Sequence, residues 1–333
     1  MQKRIQYIWI MMAGLIILLD PLVYIGLKAY AGDVTMLLSI VFWLIPAYML
    51  ARMFLLISNR TFFSRNPRHQ KAYFNYFGLF ILFYIPKIVF LLFLLVDTLL
   101  SLAADLISPY MIDLDVIGLT GMVISAGMFL LILYGILYGR FHFKREHLEL
   151  AHQKVPGAFE GFRIVQISDL HIGSWVGHRR QMQRAVDIIN RQNADIIVLT
   201  GDLFNNYYEE ITGFKQTLGQ LRARTGKYAI LGNHDYGDYF YWSSEAEYQR
   251  NFQKIKQAYR ELGFDLLLNE SVTISRDNAA IGVAGVENWG LPPFHQYGDL
   301  GKALSGLNGS AFNILLSHDP DRKSTRLNSS HYS

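Results

Sequence analysis

The 333-residue chain contains no cysteine. Disulfides, thiolate zinc sites and cysteine nucleophiles are therefore excluded, and any bound metal must be held by oxygen and imidazole nitrogen. No Walker-type glycine loop and no dinucleotide fingerprint occurs, which removes the common routes to nucleotide cofactors. Basic residues in the second half are not interleaved with aromatics, so no nucleic-acid surface is expected. Internal repeats and low-complexity tracts are also missing. One stretch, 97–115, carries Asp97, Asp105, Asp113 and Asp115 but no Lys or Arg.

Apolar residues are abundant instead. They make up 51% of the chain, with a mean hydropathy of +0.18, and the excess lies in the first 140 residues. Stretches near 7–28, 34–57, 73–96 and 116–139 are each long enough to cross a bilayer as a helix, which takes about 20 residues. The first is too long for a cleavable signal peptide, lacks a small-residue cleavage pattern, and is followed by three more. Lys3 and Arg4 precede the first span, Arg60, Arg65, Arg68 and Lys71 lie between the second and third, and Arg140, Lys144 and Arg145 follow the fourth. The positive-inside rule then puts the N-terminus, the 58–72 loop and everything after 140 in the cytoplasm. All three basic segments fall on one side only if the number of spans is even.

Two ionisable residues interrupt the apolar runs, Asp20 before Pro21 and Lys87 after Pro86. At 1.5 Å per residue they lie about 18 Å and about 21 Å from the cytoplasmic ends of their spans. Matched depth and opposite charge point to an interhelical ion pair; a polar pathway for a transported ion is the alternative reading.

After the Pro/Gly-marked segment KVPGAFEGF the texture changes. Strands are expected near 162–168, 195–200, 228–231, 271–275, 280–286 and 312–317, and helices over 178–193, 209–224 and 244–262. Met182, Ala185, Val186 and Ile189 recur at helical spacing. Alternating strands and helices predict an α/β layered domain. The stretch 143–155 reads as an edge strand or a juxtamembrane helix. His142, His147 and His152 recur every five residues, share no helix face, and read as a polar connector.

Three strings carry chemistry: ISDLHIG at 167–173, LTGDLF at 199–204 and LGNHDY at 231–236. Each sets Asp, His or Asn directly after an apolar strand, and strand ends are rigid platforms from which ligands can converge. Asp169 and His171, one residue apart in a turn, can reach one ion. Asp202 offers two carboxylate oxygens that could bridge two ions, and Gly232-Asn233-His234-Asp235 adds an amide and an imidazole. A carboxylate bridging two cations about 3.5–4 Å apart is what a two-metal hydrolase requires.

These strings resemble the first three motifs of the calcineurin-like metallophosphoesterases, in their membrane-anchored bacterial branch, and the likeness covers residues 162–321. His318 in ILLSHDP matches the fourth motif. The resemblance implies an α/β sandwich of two mixed sheets flanked by helices, behind an all-α region of four transmembrane helices. It implies Asp169 and His171 on a first metal, Asp202 bridging, and Asn233 with His318 on a second. His234 would contact the scissile phosphate and protonate the leaving oxygen, with Asp235 holding its imidazole. The implied cofactors are two divalent ions, Mn²⁺ foremost, with Fe, Zn or Ni as alternatives. The implied reaction is attack of a metal-bridging hydroxide on a phosphomonoester, phosphodiester or pyrophosphate.

A fifth motif, G-H-x-H, should follow but is absent. After Asp321 the chain reads RKSTRLNSSHYS, which resembles translated adapter or vector sequence. The expectation is a catalytic domain incomplete at its C-terminus, with each metal one ligand short; His331 stands in the wrong context to replace one. The expected organisation is a transmembrane region over 1–140, a linker over 141–160, a catalytic domain over 161–321 and a non-native tail over 322–333. Trp289, in VENWG, and Tyr236 are candidate substrate contacts. Tyr236, Tyr239, Phe240, Tyr241 and Trp242 form an aromatic cluster that suits a substrate cleft, a membrane interface or core packing. Arg179 and Arg180 read as surface charge rather than phosphate contacts. Four spans favour a lipid-linked or envelope-precursor substrate at the bacterial plasma membrane, with the lipid bilayer as the other partner. The rival readings are a non-catalytic membrane-anchored binding or sensor module, and transport through the spans.

Overall fold

The structure is a computed structural model, and it describes all residues except 1, 33–34, 59–64, 108–114, 291–295, 308–309, 311 and 320–333. The expected 322–333 tail, His331, and the loop charges Arg60 and Asp113 therefore lie outside the described residues. The chain forms two compact units, one of residues 1–64 and 68–144, the other of residues 65–67 and 145–333.

The first unit consists of α1 (Gln2–Ala31), α2 (Met36–Ser58), α3 (Pro67–Ile107) and α4 (Asp115–Leu137). Segments Tyr7–Tyr30, Met36–Ser58, His69–Ala104 and Val116–Phe141 are each long and apolar enough to span a membrane. The third helix outruns the expected 73–96. Its 41 residues rise about 60 Å, because polar residues at either end continue the helix without breaking it. Helices α1 and α3 run in the same direction. Lys87 pairs with Asp20, and Tyr30 donates to Asp97, at the same sequence offset of 67. At one end of this seam Trp9 packs against Tyr73, Tyr76 and Phe77. The ion pair expected from matched depth is thus formed. Asp20 is 0% exposed, and it also accepts a 2.8 Å hydrogen bond from the Tyr84 hydroxyl.

The second unit is built from two sheets. Strands β1 (Ile164–Ile167), β2 (Ile196–Thr200), β3 (Gly226–Ile230) and β4 (Asp265–Leu266) form one, in that order and all parallel. Strands β5 (Glu270–Arg276), β6 (Ala279–Gly285) and β7 (Phe312–Leu316) form the other, β6 pairing antiparallel with β5 and parallel with β7. The helices are α5 (Arg179–Asn190), α6 (Lys215–Leu218), α7 (Glu245–Glu261) and α8 (Leu300–Leu304).

Strand β2 shows why the layers stack as they do. All five of its residues are buried, the mark of a strand covered on both faces. Ile197 and Leu199 join Met182 and Val186 of α5 and Ile255, Ala258 and Tyr259 of α7 in one core. Ile196 and Val198 point the other way, into a second core with Ile274, Ile281, Val283 and Leu316 of the other sheet. Each such side chain contributes about 1.5–3 kcal/mol by leaving water, so a one-residue slip of β2 would disrupt both cores at once.

Three expectations need correction. The helix over 209–224 is absent: a 3₁₀ turn at Tyr208–Ile211 precedes the single-turn α6. The Glu210 carboxylate turns back to accept the N–H groups of Asn205, Asn206 and Tyr207, and Gly213 takes a left-handed φ of 91°. The stretch 143–155 is neither strand nor helix. It is fastened as an irregular strap, by Arg145 donating to Gln192 at 3.1 Å and by His152 against Phe312. Finally, β4 and α8 were not expected; at two and five residues they are too short to show periodicity.

Candidate metal centre

The three motifs emerge from the C-terminal ends of β1, β2 and β3, and His318 follows β7. The first two loops are zipped together by backbone hydrogen bonds: Asp169 N–H to Gly201, His171 N–H to Asp202 and Ile172 N–H to Leu203, at 2.9–3.1 Å. This pairing forces Asp169, His171 and Asp202 into left-handed conformations with φ of 54°, 44° and 54°. Such backbone is costly for non-glycine residues and collects at functional sites.

Glycines make the close approach possible. A Cβ at Gly201 would lie 2.5 Å from the Gly232 nitrogen, and one at Gly232 would lie 2.2 Å from Asp202 Oδ1. The Asp202 carboxylate can therefore accept the His234 N–H, at 2.9 Å.

The side chains converge in two groups, His171 with Asp202 and His234, and Asp169 with Asp202 and His318, all ligand atoms of each group lying within 4.8 Å of one another. Asp202 belongs to both. Its Oδ2 is 3.5 Å from His171 Nε2 and 3.5 Å from His318 Nε2. Asp169 Oδ1 is 3.9 Å from His171 Nε2 as well, so it is in reach of both groups. Asn233 Oδ1 faces His318 Nε2 at 3.0 Å. Carboxylate, imidazole and amide donors around one shared, buried carboxylate fit a divalent transition ion on either side.

The imidazoles of His318 and His234 are held by their other nitrogen, as metal-binding histidines generally are, whereas the buried Nδ1 of His171 meets no hydrogen-bond partner among the described residues. His318 Nδ1 donates to the Thr200 carbonyl at 2.8 Å and His234 Nδ1 to the Asn205 carbonyl at 2.8 Å. The second contact corrects the expectation that Asp235 holds the His234 ring. Asp235 is instead a buried staple. It accepts the N–H groups of Asp202 (2.8 Å), Phe204 (3.0 Å) and Gly232 (2.9 Å), and the Tyr259 hydroxyl (2.9 Å). An N–H cradle exists there because two strand-end loops leave backbone donors unpaired, and a carboxylate satisfies them.

The electrostatics follow from burial and from this shared carboxylate. Burial alone would raise Asp202, but the His318 hydrogen bond and charge, with the His234 N–H, hold it below the usual range. Burial opposes charge on His318, yet Asp202 lifts it to about 9. Burial, reinforced by the Asp202 charge, pushes Asp235 up to about 7 against its N–H donors. His171 is lowered by burial, against the pull of Asp202.

The remaining candidates lie further out. Tyr236 is buried, stacked on Tyr297 at 4.4 Å, and donates to Glu287. With Phe240, Tyr241 and Trp242 it lines a groove of about 620 Å³. Trp289 sits in the loop after β6 near Gly298. Arg179 donates to Gln216. Sequence reasoning missed Asn205, Glu210 and Tyr259, and it placed Tyr239 in the aromatic cluster without a role beside Asn233. The first two act through backbone groups, and Tyr259 lies far along the chain on α7.

The profile of the calcineurin-like phosphoesterase family matches residues 162–328. A second profile, described as "Probable Calcineurin-like phosphoesterase, transmembrane domain", matches residues 3–140. The chain belongs to the calcineurin-like phosphoesterase family, in a membrane-anchored form. That family binds divalent metals and consists of phosphoester hydrolases. Among its relatives is a Danio rerio "Transmembrane protein with metallophosphoesterase domain", 29% identical over 196 residues, which are 57% of this chain and 42% of the relative. A Bos taurus protein of the same name is 31% identical over 52% of this chain and 38% of its own length. The "Uncharacterized metallophosphoesterase YkuE" of Bacillus subtilis (strain 168) is 32% identical over 50% of this chain and 54% of its own. The chain thus spans between 38% and 54% of the length of these three relatives.

Proposed function

We propose that the chain is a membrane-tethered phosphoesterase that uses two divalent ions held on either side of Asp202. The observation that carries this reading is the membership of one buried carboxylate in both ligand groups. Asp169, His171, Asn233 and His318 would add further donors to the two sites, and His234 lies close enough to Asp202 to serve either as a ligand or as the proton donor to the leaving oxygen. When bound, such ions supply Lewis-acid polarisation of phosphoryl oxygens and lower the pKa of water. The chain's own part is to fix that geometry. Asp235 locks the second and third motif loops, and Asn205 and Thr200 set the tautomers of His234 and His318. Mn²⁺ suits the mixed oxygen and nitrogen donors, as do Fe, Zn and Ni.

The substrate reading is a phosphomonoester, phosphodiester or pyrophosphate, with a lipid-linked or envelope-precursor molecule favoured by the membrane anchor. The charge distribution supports a bacterial plasma-membrane protein whose N-terminus and catalytic domain face the cytoplasm. In domain terms we assign 1–140 to the membrane, 141–160 to a linker and 161–321 to catalysis. The test is hydrolysis of bis(p-nitrophenyl) phosphate with Mn²⁺ by the purified chain in detergent. Asp202→Asn should lower kcat/KM by about 100-fold or more, the scale of losing one electrostatic stabiliser. Activity that ignores the substitution would overturn the assigned centre. Mn²⁺ binding without turnover of any phosphoester would favour a binding module instead.

A further inference from the structure

Asn233 can ligate a cation only through its oxygen, so the orientation of its amide decides whether the site works. Its Oδ1 faces His318 and its Nδ2 donates to the Tyr239 hydroxyl at 2.7 Å. In this orientation the phenol oxygen takes the amide N–H and leaves Oδ1 free for the cation position. A flipped amide would use the phenol O–H instead and turn its N–H donors toward that position. The same tyrosine ring stacks on His234, with centroids 4.4 Å apart and planes inclined by 23°. His234 belongs to the ligand group opposite His318. One phenol therefore braces an amide beside one group and an imidazole within the other.

We infer that Tyr239 is a positioning residue for the metal centre: its hydroxyl fixes the Asn233 amide with the oxygen inward, and its ring backs His234. The assignment rests on the two-ion reading above. Groups that orient metal ligands are worth about 10–100-fold in metal affinity. The hydroxyl and the ring make separable contributions, because phenylalanine keeps the stack and loses only the hydroxyl.

The experiment is equilibrium dialysis of the full-length chain in detergent against Mn²⁺, with bound metal counted by atomic emission, alongside thermal unfolding in EDTA. Tyr239→Phe should weaken Mn²⁺ binding at one of two sites by about 10–100-fold, while the metal-free unfolding temperature stays at the wild-type value. Tyr239→Leu, which also loses the stack, should weaken both sites. An Asn233→Asp background supplies the control, since a carboxylate has no wrong face. There, Tyr239→Phe should change Mn²⁺ affinity by less than about threefold, well under the outer-contact scale. Wild-type affinity in Tyr239→Phe overturns the inference, as does an equal loss in the Asn233→Asp background. A wild-type chain that binds no Mn²⁺ would instead sink the two-ion reading itself, so the two failures are distinguishable.

Discussion

Among the described residues, each unit of this protein buries one aspartate completely, and the two solve the problem in opposite ways. Asp20 in the membrane region and Asp235 in the α/β domain are both 0% exposed. Among the described residues, Asp20 is answered by side chains, the Lys87 ammonium and the Tyr84 hydroxyl. Asp235 is answered mainly by backbone, three N–H groups with the Tyr259 hydroxyl added. The difference follows from what each solvent allows. Inside a bilayer every backbone N–H is committed to its own helix, so only side chains remain to stabilise a carboxylate. Where strands end and loops begin, N–H groups lose their ladder partners, and a buried carboxylate gathers them. A charge pair suits the first setting and an N–H cradle the second.

The largest effect should come from emptying the cradle. Asp235→Ala leaves three backbone donors and a hydroxyl without an acceptor, and each buried unsatisfied group costs about 1–3 kcal/mol. A loss of about 4 kcal/mol or more is expected, seen as a lowered unfolding temperature of the metal-free chain. Mn²⁺ binding should fall too, because Asp235 holds the Asp202 N–H and Gly232 in place. Unchanged stability would mean that water fills the cradle and that the staple is dispensable.

The membrane pair is next. Asp20→Ala strands a lysine between apolar helices, and breaking a buried pair from one side costs about 3–5 kcal/mol. The exchange Asp20→Lys with Lys87→Asp restores opposite charges at the same offset along α1 and α3. It should recover most of the folded yield in detergent, whereas either single exchange should not. A double exchange no better than the singles would remove pairing as the reason these residues are tolerated, and would return weight to a polar pathway through the spans.

These two carboxylates also mark what the sequence made legible. Asp20 and Lys87 stood out because charge is rare in an apolar run, and depth alone matched them. The candidate metal ligands were equally visible, since Asp169, His171, Asp202, Asn233 and His234 each follow a strand rich in apolar residues. Asp235 was visible as a residue but misread in role. Its partners are backbone N–H groups, which every residue carries, so nothing in the string LGNHDY distinguishes a staple from a support for His234. The helix expected over 209–224 failed for the same reason: Glu210 spends its carboxylate on three loop N–H groups rather than facing solvent. Apolar periodicity reports side-chain burial, and it is silent where side chains serve the backbone.

The smallest prediction separates the two solutions most finely. Tyr84 donates to Asp20 at 2.8 Å and Tyr259 to Asp235 at 2.9 Å, so Tyr→Phe removes the same bond from each carboxylate. Asp20 then keeps only Lys87 among its described donors, while Asp235 keeps three N–H groups that share the charge. A hydrogen bond to a charged group contributes about 1.5–3 kcal/mol. Tyr84→Phe should cost near the top of that range and Tyr259→Phe near or below its bottom, about 1 kcal/mol. Both are measured as shifts in the unfolding of the two regions in detergent and EDTA. If Tyr259→Phe proves the costlier, the cradle depends on its one side-chain donor, and the contrast between helix-bound and loop backbone loses its force.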